Sequence, residues 1–237
     1  MAGHNKWSKI KRDKGANDAK RGAVFTRIGN QIAIAARSGT DPDMNPALAM
    51  AIEKARASNM PKENIQRSID RVADKSAAAL EEITYEGYGP GGVGIIIETA
   101  TDNRNRTLPE VKTALVKNGG RIADAGSVMF QFTRKGVIRV AAAGEDALMQ
   151  MLEAGAEDAV EDGEETIVYT DQKDLMKVRS ALIEAGLKVE DAELQYVPNT
   201  PMAIDDQETA DKVMRVLDVL DDLDDVVNVH TNADILV

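Results

Sequence analysis

Apolar side chains in the first part of the chain recur with a helical period. Phe25, Ile28, Ile32 and Ala35 fall on one helix face, and Gly39 offers a stop. Asn45-Pro46 is a start signal, with Asn as N-cap and Pro at the first helical position, and Leu48, Ile52 and Ala55 share the face that follows. Met60-Pro61 opens a third helix, with Glu63 in its first turn and Ile65, Ile69 and Val72 along one side. Three short amphipathic helices predict a small helical bundle. Residues 1–20 carry no such stripe and are expected to stay flexible until they meet a partner.

Beyond residue 80 the period changes. Ile83–Glu86 and Val93–Thr99 read as strands flanking the turn Gly87-Tyr88-Gly89-Pro90-Gly91-Gly92. Thr107-Leu108-Pro109-Glu110 has the letters of a capping box, with Val111, Ala114 and Leu115 as the stripe of its helix and Gly119-Gly120 as its end. Val128–Phe132 is the next expected strand. Further strands are expected at Val137–Val140, Thr166–Thr170 and Glu193–Val197. Between them, two segments (147–160 and 175–189) each run helix, Glu-Ala-Gly, then back toward a strand. Strand–helix–strand twice over predicts a split βαβ, ferredoxin-like arrangement. A last helix over Gln207–Leu220 and a strand over Val226–His230 supply partners that the 80–133 segment lacks.

The expected fold class is therefore α+β. A basic arm and helical domain cover residues 1–78. An α/β domain is assembled from 79–133 and 204–237, and a ferredoxin-like α/β domain is inserted at 134–203.

Charge follows the same division. Residues 1–75 carry a net +7, residues 76–139 a net +1 and residues 140–237 a net −19, within a total of −11. The first 27 residues hold Lys6, Lys9, Lys11, Arg12, Lys14, Lys20, Arg21 and Arg27 against only Asp13 and Asp18, with the single tryptophan, Trp7, among them. A cationic segment on an acidic protein suits a partner made of phosphates, and an indole can stack on a base. These eight cations and Trp7 are the candidate nucleic-acid contacts. Arg104 and Arg106, just ahead of a helix start, are candidates for a secondary anion site. Ordinary capping and local pairing to Asp102 and Glu110 is the competing reading there.

Composition removes other classes. There is no cysteine, so disulfides, zinc–thiolate sites and thiol nucleophiles are excluded. The two histidines, His4 and His230, are too far apart in sequence to suggest a metal site or a paired catalytic centre. No apolar run approaches the ~20 residues needed to span a bilayer, so no membrane association is expected. Gly87-x-Gly89-x-x-Gly92 matches a dinucleotide fingerprint in letters, but the residues after it are β-branched where the fingerprint needs a helix. It reads as a tight turn. The acidic cluster Asp218, Asp221, Asp222, Asp224, Asp225 lacks calcium-loop spacing and reads as a solvated helix end. No cofactor, metal or small-molecule substrate is expected, and no catalytic constellation is visible.

The segments Met1-Ala2-Gly3-His4-Asn5-Lys6-Trp7, Lys20-Arg21-Gly22, Asn59-Met60-Pro61, Tyr85–Gly92 and Asp102–Thr107, in this order, resemble the YebC/PmpR family. One departure is Asn5, where the family usually has Ser. The resemblance implies three domains, one inserted in another, and a cytoplasmic probable transcriptional regulator that binds DNA. It also admits translation, because some members are ribosome-associated factors and a mitochondrial relative activates translation of a cytochrome oxidase subunit. The expectation is a non-enzymatic, DNA-binding regulator of gene expression. The alternative is a ribosome-associated translation factor that binds ribosomal RNA, and an enzyme is the remote one.

Overall fold

The computed structural model describes residues 18–72 and 80–237. It is mixed helix and sheet, as an α+β chain should be. The helical part comprises α1 (Asp18–Ala36), α2 (Pro46–Ala57) and α3 (Lys62–Asp70). Their apolar stripes meet in one core of Ile28, Ile32, Ala36, Leu48, Ile52, Ala55, Met60, Ile65 and Ile69.

Asn45 joins two of these helices. Its side-chain oxygen accepts from the Leu48 N–H at 3.2 Å, which caps α2. Its amide nitrogen donates to the carbonyls of Ala35 at 2.8 Å and Gly39 at 2.7 Å, the end of α1 and the loop beyond it. One buried side chain thus serves a helix stop and a helix start.

The next strands are β1 (Glu81–Tyr88) and β2 (Gly94–Thr101), joined by a turn that includes Pro90–Gly92. Gly91 takes φ +73° in that turn, a backbone that glycine adopts without steric cost. Helix α4 (Arg104–Lys117) and the short β3 (Arg121–Ile122) follow. After a long interval the chain returns as β8 (Met202–Ile204), α7 (Gln207–Asp221), β9 (Val226–Thr231) and β10 (Ala233–Ile235). The antiparallel sheet runs β3-β1-β2-β9, and β8 pairs with β10 in parallel. Ile95 and Ile97 of β2 pack with Val111 and Leu115 of α4 and with Val213, Val216, Leu217 and Leu220 of α7. Helix α1 lies against β2 and β9. With helices on both faces, β2 is buried along nearly its whole length, which is why its sequence is a continuous apolar run.

Residues Phe132–Asn199 form a separate compact unit. Its elements are β4 (Phe132–Val140), α5 (Glu145–Glu153), β5 (Asp158–Asp162), β6 (Glu165–Asp171), α6 (Leu175–Glu184) and β7 (Val189–Pro198). The sheet order β5-β6-β4-β7, with every neighbouring pair antiparallel, is the ferredoxin-like topology. Gly136 allows α6 to approach the sheet. A Cβ there would collide with Thr170 Oγ1 and lie 2.9 Å from Leu175 Cβ.

Two local readings are corrected. The segment expected to be a strand at Val128–Phe132 is instead a turn followed by a single 3-10 turn at Met129–Gln131, and the strand begins at Phe132. The cause is Glu86 on β1. Its buried carboxylate accepts from the N–H groups of Gly126 (2.5 Å), Val128 (2.6 Å) and Met129 (2.8 Å), which curls the segment around one anion. The cap of α4 is Asn103, not Thr107. Asn103 accepts from the Asn105 N–H, and Thr107 sits one turn inside the helix.

Asn45→Ala removes a cap and strands two carbonyls. Urea unfolding is expected to show a loss of about 2 kcal/mol. A loss under about 0.5 kcal/mol, the range of an ordinary surface change, would contradict the joining role.

Candidate nucleic-acid interface

Lys6, Trp7, Lys9, Lys11, Arg12 and Lys14 lie outside the described residues. Lys20 and Arg21 belong to the first turn of α1. The remaining expected contact, Arg27, two turns further along, has an internal partner. Its Nη1 lies 3.0 Å from Asp221 Oδ2 and its Nη2 donates to the Asp221 carbonyl at the end of α7. Both side chains are mostly withdrawn from water, at 12% and 14% exposure. A guanidinium held this way is neutralised and is not presented to an external phosphate.

Two other arginines of the bundle also have internal acceptors, though both keep more contact with water than Arg27. Arg37 donates to the Leu80 carbonyl. Arg71 reaches Asn30 Oδ1 at 3.3 Å and Asp102 at 3.6 Å. These ties explain part of the positive charge of residues 1–75 as internal fastening.

The two arginines expected to form a secondary anion site are divided between carboxylates. Arg106 Nη2 lies 2.7 and 2.8 Å from the two oxygens of Asp225 and 3.1 Å from Asp102 Oδ1. Arg104 Nε stands 3.8 Å from Glu81, and its side chain is 68% exposed. Asp102 does pair locally, but the dominant partner of Arg106 is Asp225, remote in sequence. Asp225 is buried, and the hydroxyls of Thr107 and Thr101 stand 2.6 and 3.0 Å from its Oδ2. The solvated-helix-end reading of the acidic cluster therefore does not hold for Asp225 or Asp221. Burial alone would raise the Asp225 carboxyl, but the hydrogen bonds from Arg106, Thr107 and Thr101 outweigh it and hold it below its ordinary value. Glu86 behaves in the same way, with three backbone N–H groups overriding its burial.

Between the bundle and the first sheet lies a cleft of about 500 Å³. Arg71 and Arg106 line it, together with Asp102, Glu110, Asp224 and Asp225. Carboxylates outnumber cations there, so it offers no site for a phosphate. Among the described residues, no group of histidine, cysteine or acidic side chains is placed to hold a metal ion. No described helix is long and apolar enough to cross a membrane.

Comparison with known proteins is consistent with this architecture. Residues 5–75 match the TACO1/YebC protein N-terminal domain, and residues 80–233 match the TACO1/YebC second and third domain. The chain belongs to the TACO1/YebC family. A probable transcriptional regulatory protein of Moorella thermoacetica is 49% identical over 99% of this chain and 96% of its own. One of the same description from Rubrobacter xylanophilus is 48% identical with the same coverage. Among solved structures, a conserved hypothetical protein from Aquifex aeolicus superposes with a TM-score of 0.86 at 40% identity, covering 92% of each chain. The YebC/PmpR resemblance carried by short motifs is thus matched by family domains over residues 5–75 and 80–233.

Asp225→Asn leaves Arg106 without its main anion. Because Arg106 keeps nearly half of its surface in water, the expected loss at neutral pH is about 2 kcal/mol rather than the 3–5 of a fully buried pair. The folded carboxyl has the lower pKa, so its contribution is full above the ordinary value of 3.8 and is lost as pH falls through the folded value. Urea midpoints of wild type and variant should therefore converge as pH falls below the ordinary carboxyl value of 3.8. A constant gap across that range would contradict the assignment.

Proposed function

We propose that this protein is a non-enzymatic regulator of gene expression that holds nucleic-acid phosphates through Lys6, Lys9, Lys11, Arg12, Lys14, Lys20 and Arg21, with DNA as the favoured target. The observation that carries the reading is the charge division, net +7 over residues 1–75 against net −19 over residues 140–237. Arg27, Arg37 and Arg71 have internal acceptors, and of the twelve other cations in residues 1–75 seven lie before residue 22. Trp7 lies within that cluster and is suited to stacking on a base. The acidic remainder repels a polyanion and turns the basic end toward it. The names of the Moorella and Rubrobacter relatives support a role in transcription.

A second reading is ribosomal RNA. It is favoured by the nature of the candidate contacts, since lysines and arginines clustered in this way recognise phosphates, and phosphate contacts carry no base sequence. Crosslinking in cells followed by sequencing separates the two. Discrete promoter peaks support DNA, and ribosomal RNA with little promoter DNA supports the ribosome. A cytoplasmic location is part of the same proposal.

With six or more phosphates engaged, affinity for a duplex should fall by ~10³–10⁵ between 50 and 200 mM salt. Replacing Lys9, Lys11, Arg12 and Lys14 by Ala should reduce the slope of log K against log salt by about 3 to 4, close to 0.9 for each lost contact on B-DNA. Salt-insensitive binding would falsify the proposed contact.

A further inference from the structure

Helices α1 and α3 border a groove of about 270 Å³ on the bundle. Arg67, in the last turn of α3, and Arg71, at its C-cap, supply two cations. Asn30 of α1 and Asn64 of α3 add two carboxamides, and Phe25 and Met60 add apolar surface. Gly29 sets the approach of the two helices, since a Cβ there would stand 3.0 Å from Ser68 Oγ. Among the described residues no carboxylate lines the groove. The neighbouring cleft, which shares Asn30 and Arg71, is dominated by carboxylates. The charge therefore changes sign across those two side chains.

Two donors of the groove lack an acceptor in the protein. Arg67 is exposed and forms no ion pair among the described residues. Asn30 is only 6% exposed, its Oδ1 accepts from Arg71 Nη1 at 3.3 Å, and its Nδ2 donates to no described residue. A buried amide without an acceptor costs stability unless something outside the chain takes it. Arg71 is held by Asn30 and stands 3.6 Å from Asp102, whose closer partner is Arg106 at 3.1 Å. Its charge is thus only partly offset. Guanidinium and amide N–H groups facing one space are the donors that a phosphate oxygen accepts from. The volume falls below the ~300 Å³ at which pockets for free small molecules begin, so the groove suits one unit of a longer chain.

We infer that this groove seats a backbone phosphate of the bound nucleic acid. The Arg67 guanidinium and the Asn30 and Asn64 carboxamides donate to it, Arg71 adds its field from the side, and Phe25 and Met60 meet the adjoining sugar. The inference rests on the nucleic-acid reading and carries it from the N-terminal segment onto the folded bundle. Arg21, Phe25 and Gly29 stand four residues apart on α1, which places them along one helix face over a rise of about 12 Å. A strand held at the first turn of α1 therefore runs into the groove.

The test titrates the full chain into a fluorescein-labelled DNA duplex and, in parallel, a single-stranded RNA, over a range of salt. Arg67→Gln should lower the slope of log K against log salt by about 0.9 on the duplex or about 0.7 on the single strand, and weaken binding roughly fivefold to tenfold near 100 mM salt. Asn64→Leu fills the groove and should weaken binding by a similar factor although no charge is removed. The control is Arg56→Gln, an exposed cation of α2 outside the groove, which should stay within about twofold. Thermal midpoints close to wild type establish that the variants fold. Equal weakening by Arg56→Gln and Arg67→Gln, with Asn64→Leu unchanged, would reduce the effect to general charge and overturn the groove. An unchanged slope in Arg67→Gln beside a reduced one when Lys9, Lys11, Arg12 and Lys14 are replaced by Ala would overturn the groove and leave the N-terminal contact standing. Wild type that binds neither probe would remove both. Displacement of the probe by millimolar AMP, abolished in Arg67→Gln, would make the occupant a free nucleotide and overturn the backbone assignment.

Discussion

The ion pair between Arg27 and Asp221 is the contact on which the arrangement of the larger unit turns. It fastens the middle of α1 to the end of α7 with a charge-assisted bond largely removed from water. Helix α1 in turn covers the face of the first sheet opposite α4 and α7. Without that cover, Ile96 and Ala100 of β2 would be exposed, and so would the contact of His230 Nε2 with Glu98 Oε2 at 3.0 Å. A buried pair is not by itself a large source of stability, because desolvation opposes it. Its importance here is positional, since one partner cannot leave without abandoning the other's charge in a dry place.

This constraint changes what the N-terminal charge means. A count of basic residues treats Arg27, Arg37 and Arg71 as available, yet each binds an acceptor within the chain. Subtracting them leaves twelve cations in residues 1–75, seven of them before residue 22. Arg106 follows the same logic. It looked like half of an anion site, and it is the counter-ion of a buried aspartate.

Much of the fold could be read from periodicity. Ile28 and Ile32, then Leu48 and Ile52, then Ile65 and Ile69 are spaced as a bundle core and form one. Asn45-Pro46 announced its helix because capping depends on neighbours in sequence. The doubled strand–helix–strand pattern pointed to the inserted ferredoxin-like unit. What could not be read depends on partners far along the chain. Val128–Phe132 has strand-like residues, but Glu86, some forty positions earlier, takes its backbone N–H groups. Thr107 has the letters of a cap, but its hydroxyl is used by Asp225, 118 positions later. Asp221 and Asp225 looked like solvated charge because nothing local reveals that arginines approach them. The candidate site was legible mainly as charge, and most of it lies outside the described residues.

The division of the N-terminal cations into fastening and binding groups can be tested by one measurement, the salt dependence of nucleic-acid affinity in two variants. Arg27→Met with Asp221→Leu replaces the buried pair by apolar groups of similar size, a change that often preserves folding. The expected slope of log K against log salt is that of wild type, because Arg27 touches no phosphate. Lys20→Ala with Arg21→Ala should lower the slope by nearly 2 on a duplex. A slope that falls by about 0.9 in the first variant and does not change in the second would contradict the account.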